Sequence, residues 1–350
     1  MLPVTWQDVL TAQPRVHAVL SPTPLIEWPG LSAVMGGRLL IKHENHQPVG
    51  AFKVRGGINL VSCLSSAERA AGIFGYSTGN HGQSLAFAAR HFGARCTIVV
   101  PVGNNPDKNR AIRLLGAELI EHGRDFYESQ KKTEELVAQH GGRFVHSANE
   151  PLLIAGVGTM TWEIFDRLPD PDVILVPIGL GSSVCGACIV ARHRSPRTQV
   201  IGVQAENAAA VARTWQTGTL VTTPNADTWA EGLATRVPAE MTMDIMRSLM
   251  DDVLLVGEDD LRHGVYRLLK HTHNLSEGAG SATLAAAIRY RRRFQGRTVV
   301  AILSGGNLDL RQLPAILALG PQVDDADQNL MSQAGSCVGQ PGSGLLWRPG

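Results

Sequence analysis

Two short segments of this sequence are apolar at nearly every position, and they limit the choice of fold more than any other feature. VILVPI (Val173–Ile178) and TVVAIL (Thr298–Leu303) lack the alternation of a strand that has one wet face. Runs of this length are typical of strands in a parallel sheet that helices cover on both faces. Further strands are predicted at Leu39–Lys42, Ile73–Ser77, Thr97–Pro101, Glu118–Glu121, Val200–Gln204 and Val253–Val256.

Helical patterns alternate with these strands, which is the order of elements expected in an α/β protein. A chain of 350 residues is long enough for about two domains. We predict parallel-type twisted sheets flanked by helices, in a large domain of residues 1–71 plus 149–320 and a small inserted α/β domain of residues 72–148. Residues 321–350 are predicted to be a disordered C-terminal tail, because their last part is rich in glycine, serine and proline. The clearest helices are predicted at Gly82–His91, Lys108–Leu115, Glu128–His140 and Leu261–Lys270.

The composition excludes several classes of function. The 32 basic and 31 acidic residues leave a net charge of +1, whereas a protein that binds nucleic acid is expected to show a basic excess. No stretch approaches the roughly 18 consecutive apolar residues of a membrane-spanning helix, and the N-terminus does not look like a signal peptide. Five cysteines in 350 residues do not make a disulfide framework. The sequence therefore predicts a cytoplasmic protein that acts on a small molecule, with no nucleic-acid or membrane partner.

The first segment with a chemical signature is ENHQPVGAFKVRGG, residues 44–57. Lys53 stands between Phe52 and Val54 at the start of a predicted helix, so its amine is expected to be partly removed from water. Desolvation favours the neutral amine, which is the form that attacks carbonyl groups. The alternative is an ordinary surface lysine at a helix start.

The second segment is GYSTGNHGQS, residues 75–84. A strand is predicted to end at Ser77 and a helix to open near Gly82, and the unpaired N–H groups of a helix start bind anions. A carboxylate fits such a site as well as a phosphate does. The side chains of Thr78, Asn80 and His81 lie nearby in the sequence, and the alternative is an N-capped turn without a ligand.

The third segment is VILVPIGLGSSVCGACIVA, where a buried strand runs into the loop Gly179-Leu180-Gly181-Ser182-Ser183. The two glycines let the backbone approach a phosphate closely, and the serines add hydroxyl groups. A dinucleotide site would require GxGxxG, but its sixth position is Val184, so the sequence predicts a site for a single phosphate.

The fourth segment is VVAILSGGNLDL, where another buried strand ends in Ser304-Gly305-Gly306-Asn307. The Ser304 hydroxyl can hydrogen-bond a heteroatom of a ligand, because ligands of α/β proteins bind at the carboxyl ends of the strands. An ordinary strand–turn–helix junction is the alternative.

In their order and spacing, the four segments resemble the pyridoxal-phosphate enzymes of the serine/threonine dehydratase family, which share the tryptophan-synthase-β fold (fold type II) and include serine racemases. The resemblance extends from Thr23 to Leu310, which is nearly the whole globular part of the chain. It implies pyridoxal 5′-phosphate as the cofactor, an amino acid as the substrate and a homodimer as the usual assembly.

The resemblance also implies roles for individual residues. Lys53 would carry the cofactor as a Schiff base, with Phe52 beside the ring and Gly232 against its opposite face. Asn80 would hydrogen-bond the ring hydroxyl, and Ser304 would face the pyridine nitrogen. Glu277, in LSEGAG, would lie near the ring. The phosphate would be held by Gly179, Leu180, Gly181, Ser182 and Ser183, and the substrate carboxylate would be bound by Ser77, Thr78, Gly79, Asn80 and His81.

The reaction implied is β-elimination from a β-hydroxy amino acid such as L-threonine or L-serine. Lys53 would remove the α-proton, the β-hydroxyl would leave, and hydrolysis would give a 2-keto acid and ammonia. An amino-acid racemase is the alternative enzyme, in which the Thr78 hydroxyl would exchange the proton on the second face; we favour a capping role for Thr78, since β-branching restricts its rotamers. A synthase is disfavoured by the GNHGQ turn. A non-catalytic protein that retains the cofactor is disfavoured because Lys53, Asn80 and Ser304 are all present.

The sequence departs from the family pattern at several positions. Ala51 replaces a frequent serine, and Gly-Leu-Gly-Ser replaces four consecutive glycines in the phosphate loop. Some family members bind a divalent cation through a glutamate, a backbone carbonyl and an aspartate, but the corresponding residues here are Glu206, Ala210 and Ala212. We therefore predict no metal site. Cys185 and Cys188 form a single CxxC without further ligands and are predicted to be packing residues.

Overall fold

The fold is seen in a computed structural model that describes residues 2–335. Eight of the ten strands in this range overlap the predicted strands. The other two, β1 and β6, have only three residues each, too few to show a pattern. The strands are β1 Leu25–Glu27, β2 Arg38–His43, β3 Ile73–Tyr76, β4 Cys96–Val100, β5 Glu118–Glu121, β6 Arg143–Val145, β7 Val173–Pro177, β8 Gln199–Ala205, β9 Asp252–Val256 and β10 Thr298–Leu303.

The strands form two sheets. The larger sheet has the order β1-β2-β10-β7-β8-β9, and all its pairings are parallel except that of the edge strand β1 with β2. The smaller sheet has the order β5-β4-β3-β6 and is parallel throughout. Val299 of β10 lies opposite Leu39 on one side and Val173 on the other, so β2, β7 and β10 end at the same edge. The predicted α/β class with parallel-type sheets is confirmed.

Helices surround both sheets, and none of those within residues 2–335 is both long and apolar enough to cross a bilayer. The four predicted helices correspond to α5, α6, α7 and α12, each of which begins two or three residues earlier than predicted. The side chains of Asn105 and Asp125 cap α6 and α7 and fix where these two helices begin. The helices are α1 Trp6–His17, α2 Pro29–Met35, α3 Val54–Ser62, α4 Ser66–Ala71, α5 Asn80–Phe92, α6 Pro106–Leu114, α7 Phe126–His140, α8 Pro151–Arg167, α9 Ser182–Arg194, α10 Ala210–Thr217, α11 Glu240–Leu249, α12 Glu258–Thr272, α13 Gly278–Arg289, α14 Arg291–Phe294, α15 Leu313–Ala318 and α16 Gly320–Gly335.

Successive residues of β10 pack into two different cores. Val300 and Ile302 join the core that α8 and α9 share with the larger sheet. Val299 and Leu303 point to the opposite face, into the core formed with α2 and α13. Because both faces are covered, nearly every position of TVVAIL must be apolar, which explains its sequence.

The smaller sheet lies within residues 73–145, inside the segment for which an inserted domain is predicted. Its core also takes in Ile58 and Val61 of α3, which precede that segment. Helix α3 therefore packs against the smaller sheet and joins it to the segment that contains Lys53.

The prediction of a disordered tail from residue 321 is wrong as far as residue 335, because residues 320–335 form α16. Val323 and Asp327 are buried in this helix. Asp327 Oδ1 accepts a 2.7 Å hydrogen bond from Arg267 Nη2 on α12, and this ion pair helps to fix the helix on the body of the protein. The remainder of the predicted tail, residues 336–350, lies outside the described residues.

Candidate active site

A cavity of about 320 Å³ lies where β3, β7 and β10 end. The loops after β7 and β10 lie side by side because parallel strands of one sheet end at the same edge, and the loop after β3, in the smaller sheet, lines the same cavity. All the site residues predicted from the sequence line this one cavity: Phe52, Lys53, Ser77, Thr78, Gly79, Asn80, His81, Gly179, Leu180, Gly181, Ser182, Ser183, Gly232, Glu277 and Ser304.

Lys53 immediately precedes α3 and projects its amine into the cavity. Its neighbours Phe52 and Val54 are buried. The Lys53 Nζ donates hydrogen bonds to Ser182 Oγ at 3.0 Å and to the Ser147 carbonyl oxygen at 3.4 Å. Removal from water lowers the pKa of Lys53 to about 8. The amine is therefore close to the neutral, nucleophilic form near physiological pH, as the sequence predicts.

The backbone around Lys53 is held by two other parts of the cavity wall. The Phe52 N–H donates to the Ser304 carbonyl oxygen at 3.0 Å, which joins the Lys53 segment to the end of β10. The Ser84 hydroxyl of α5 donates to the Lys53 carbonyl oxygen at 2.6 Å. These bonds fix the amine relative to both the Ser304 loop and the α5 turn.

The loop between β7 and α9 forms a glycine cradle. A side chain at Gly179 would collide with the Gly232 carbonyl oxygen, and Gly181 has φ +103°, a conformation that favours glycine. The free N–H groups at the start of α9 lie beside this cradle, as an anion site requires. Ser182 keeps its hydroxyl toward the cavity, whereas the Ser183 hydroxyl donates to the Pro177 carbonyl oxygen at 2.9 Å. The cradle fits a phosphate group, with Ser182 as its hydroxyl donor.

The turn between β3 and α5 presents the second anion site. Ser77 Oγ accepts a 3.0 Å hydrogen bond from the Gly79 N–H, and α5 begins at Asn80 with Gly79 as its N-cap. No side-chain hydrogen bond caps α5, so the favoured capping role for Thr78 is wrong; Thr78 lines the cavity. Burial, aided by nearby Lys53, lowers the pKa of His81 to about 3, so this imidazole is neutral.

The side chain of Asn80 is fixed at both ends. Its Nδ2 donates to Glu277 Oε1 at 2.6 Å, and its Oδ1 accepts from Asn307 Nδ2 at 2.8 Å. Burial raises the pKa of Glu277. One N–H of Asn80 is left over, and it is the group that could bind a ligand oxygen.

Several cavity residues were missed by the sequence reasoning. Some of them follow strands of the smaller sheet: Lys108 follows β4, Phe126 and Tyr127 follow β5, and Ser147 follows β6. The strand-end rule could have found them if it had been applied to both sheets. The other missed residues are Asn104, Thr228, Glu231, Leu233, Ala234, Thr235, Pro177 and Ala279.

A buried ionic cluster anchors α3 behind the cavity, and sequence reasoning missed it as well. Arg55, which is fully buried, donates to Glu44 Oε2 at 2.7 Å and to Glu163 Oε1 at 2.6 Å. Lys42 Nζ donates to Glu163 Oε2. Burial alone would raise the pKa of Glu163, but the hydrogen bond from His17 and the Arg55 charge bring that pKa well below its usual range.

The structure gives Glu206 a cationic side chain as its partner. Glu206 Oε1 forms an ion pair with Arg289 Nη2 at 2.7 Å. Within residues 2–335, no three His, Cys, Asp or Glu side chains lie close enough together to hold a metal ion. Cys185 and Cys188 are buried in the core beside α8, and burial raises the pKa of both thiols.

Comparisons with known proteins agree with this geometry. Residues 16–305, which include the whole predicted site, match a family model described as pyridoxal-phosphate dependent enzyme. The chain is 34% identical over 317 residues to the L-threonine ammonia-lyase of Thermotoga maritima, across 91% of this chain and 79% of that protein. Solved structures with a TM-score of 0.85 include the processed form of threonine deaminase isoform 2 from Solanum lycopersicum (31% identity, 89% of this chain, 91% of that one) and maize serine racemase (25% identity, 91% and 98%).

Proposed function

Because this chain belongs to the family of pyridoxal-phosphate dependent enzymes, we propose that it eliminates the β-hydroxyl of L-threonine or L-serine and releases a 2-keto acid and ammonia. The position of Lys53 carries the proposal: its Nζ lies 3.0 Å from Ser182 Oγ at the start of α9, in a cavity that the turn before α5 also lines. An amine between a phosphate cradle and a carboxylate site suits cofactor chemistry on an amino acid. The similarity to a threonine ammonia-lyase and a threonine deaminase supports threonine as the substrate.

Each wall of the cavity has a task in this proposal. When bound, the cofactor draws electrons away from the α-carbon of the amino acid. The glycine cradle, residues 179–183, would hold its phosphate, and Phe52 and Gly232 would enclose its ring. Ser304 would face the pyridine nitrogen; a serine hydroxyl, unlike a carboxylate, does not hold that nitrogen protonated. Electron withdrawal is then moderate, which suits a reaction in which a β-substituent leaves.

Lys53 is the base in this scheme. Its Nζ removes the α-proton, and a pKa near 8 places the amine in the range where a general base works efficiently. The turn of residues 77–81 would bind the substrate carboxylate through N–H groups at the start of α5, and the free N–H of Asn80 would donate to the hydroxyl of the cofactor ring. Glu277 fixes that amide and does not touch the reacting atoms in this scheme.

Keto-acid release tests the proposal. Purified protein loaded with pyridoxal phosphate is given L-threonine, L-serine and other β-hydroxy amino acids, and 2-keto acid and ammonia are expected in equal amounts. Lys53→Ala should react at least about a hundredfold more slowly, whereas Lys131→Ala, at an exposed position of α7, should behave as wild type. A cofactor-loaded protein that releases keto acid from none of these substrates would refute the proposal.

Amino-acid racemisation is the second candidate, and the position of Thr78 favours it. Thr78 lines the cavity and does not cap α5, so in this alternative its hydroxyl would exchange the proton on the second face of the substrate. Under this alternative, Thr78→Ala would abolish the appearance of the D-enantiomer from L-serine, measured by chiral chromatography. Elimination by the same variant would continue.

We also propose that the enzyme is a cytoplasmic homodimer. Each chain would have a large domain, residues 1–71 plus 149–320, and a small inserted domain, residues 72–148. The family resemblance supports the dimer, and the near-zero net charge supports a small-molecule partner. Light scattering should give a mass twice that of one chain; a mass equal to one chain would refute the dimer.

A further inference from the structure

A second lysine reaches the cavity beside the carboxylate site. Lys108, in the first turn of α6, has a side chain only 12% exposed and lines the cavity wall. Its aliphatic part lies against the α5 turn, since a Cβ placed on Gly79 would be 3.1 Å from Lys108 Cδ and 3.8 Å from Lys108 Nζ. The ammonium group is thus held next to the N–H groups that open α5.

The positive charge of Lys108 distinguishes it from most of the cavity lining. Among the described residues that line the cavity, Lys53 and Lys108 are the only lysine or arginine side chains. In the proposed reaction Lys53 carries the cofactor and acts as the base, and His81 is neutral. An amino-acid substrate brings a carboxylate into the cavity, and the pairing of a carboxylate with a partly desolvated ammonium is stronger than its pairing with neutral donors.

In the structure Lys108 is paired with an exchangeable carboxylate. Lys108 Nζ donates to Glu231 Oε2 at 2.5 Å. The Glu231 side chain is 46% exposed and stands on a short 3-10 turn, residues 231–233, in the irregular segment between α10 and α11. Glu277, by contrast, is already bound by Asn80, and Asp309 by Arg311. Glu231 can therefore turn to water at little cost when another carboxylate arrives.

We propose that Lys108 binds the α-carboxylate of the substrate, and that Glu231 occupies this ammonium until the substrate displaces it. The inference rests on the proposed function only in requiring an amino-acid substrate. It makes Lys108 a binding residue for the carboxylate, so its loss should raise KM far more than it lowers kcat.

The experiment uses cofactor-loaded wild type, Lys108→Gln, Lys108→Arg and Glu231→Gln. Glycine has no β-substituent to lose, so its Kd can be read from the absorbance change of the cofactor whether or not elimination occurs. For Lys108→Gln, the Kd of glycine and the KM of L-threonine should both rise on the order of tenfold to a hundredfold. Lys108→Arg should restore most of the affinity, and Glu231→Gln should bind glycine at least as tightly as wild type.

A ligand without a carboxylate separates carboxylate recognition from a general structural effect. Glycinamide lacks the carboxylate, so its Kd should be nearly the same in wild type and Lys108→Gln. An equal loss of affinity for glycine and glycinamide, or no loss for either, would overturn the role of Lys108. A wild type that does not turn over threonine, while its glycine affinity still depends on Lys108, would refute the elimination activity and leave this inference standing.

Discussion

Asn80 Nδ2 donates a 2.6 Å hydrogen bond to Glu277 Oε1, although 197 positions separate the two residues in the chain. The bond crosses from the start of α5 to the residue that precedes α13. Together with the bond from Asn307 to Asn80 Oδ1, it leaves the Asn80 amide one orientation and one free N–H. The direction in which Asn80 meets a ligand therefore depends on a carboxyl group from a different part of the sequence.

Removal of that carboxyl should loosen Asn80. Glu277→Ala leaves the Asn80 Nδ2 without its acceptor, so the free energy of unfolding should fall by about 1–3 kcal/mol, and cofactor affinity should fall with it. Glu277→Gln keeps an acceptor oxygen and should stay close to wild type. Urea unfolding and titration with pyridoxal phosphate measure the two effects. Equal behaviour of the alanine and glutamine variants would contradict the role given to this hydrogen bond.

Cofactor attachment should follow the titration of Lys53. Only the neutral amine attacks the cofactor aldehyde, and desolvation lowers the pKa of Lys53 to about 8. Protein stripped of cofactor should therefore take up pyridoxal phosphate slowly below pH 8 and faster above it. The midpoint of the rate, followed by absorbance, is expected near 8 rather than near the 10.5 of an exposed lysine. A rate that keeps rising past pH 10 would show that the amine is solvated.

The ionic cluster around Arg55 should matter to stability far more than its surface counterparts. Arg55→Met leaves Glu44 and Glu163 buried without their common partner, and the free energy of unfolding should fall by about 3–5 kcal/mol. The matched control is Arg113→Met, which removes an exposed pair with Glu121 and should change stability by less than about 1 kcal/mol. Chemical denaturation of the two variants compares them directly. A similar small change in both would mean that the cluster is dispensable.

Metal chelation should leave activity unchanged. Glu206 forms an ion pair with Arg289 at 2.7 Å, so its charge is balanced by a guanidinium. Ala212 has no carboxylate that could bind a cation beside it. Keto-acid release measured before and after treatment with EDTA should give the same rate. A large loss that magnesium restores would show that a cation site exists despite Ala212.

Much of the fold could be read from local patterns. The strands TVVAIL and VILVPI are apolar because both faces are covered, and a property of six consecutive residues is visible in the sequence. The same holds for Lys53 and the loop at residues 179–183, where residue type and position after a strand indicate the chemistry. The three-residue strands β1 and β6 and the helix α16 carried no such local pattern, since they are stabilised by contacts with distant segments.

Contacts between distant residues decided the rest of the site. The ammonium of Lys108 and the carboxylate of Glu231 are separated by 123 positions, and Arg55 meets Glu163 across 108. The energy of each pair depends on distance and burial, and neither quantity is encoded in the spacing of the residues along the chain. Residue types and strand ends were sufficient to indicate a phosphate loop, a reactive lysine and a carboxylate turn. Which charges neutralise one another, and which hydroxyl groups remain free for a ligand, followed only from the packing of the two sheets.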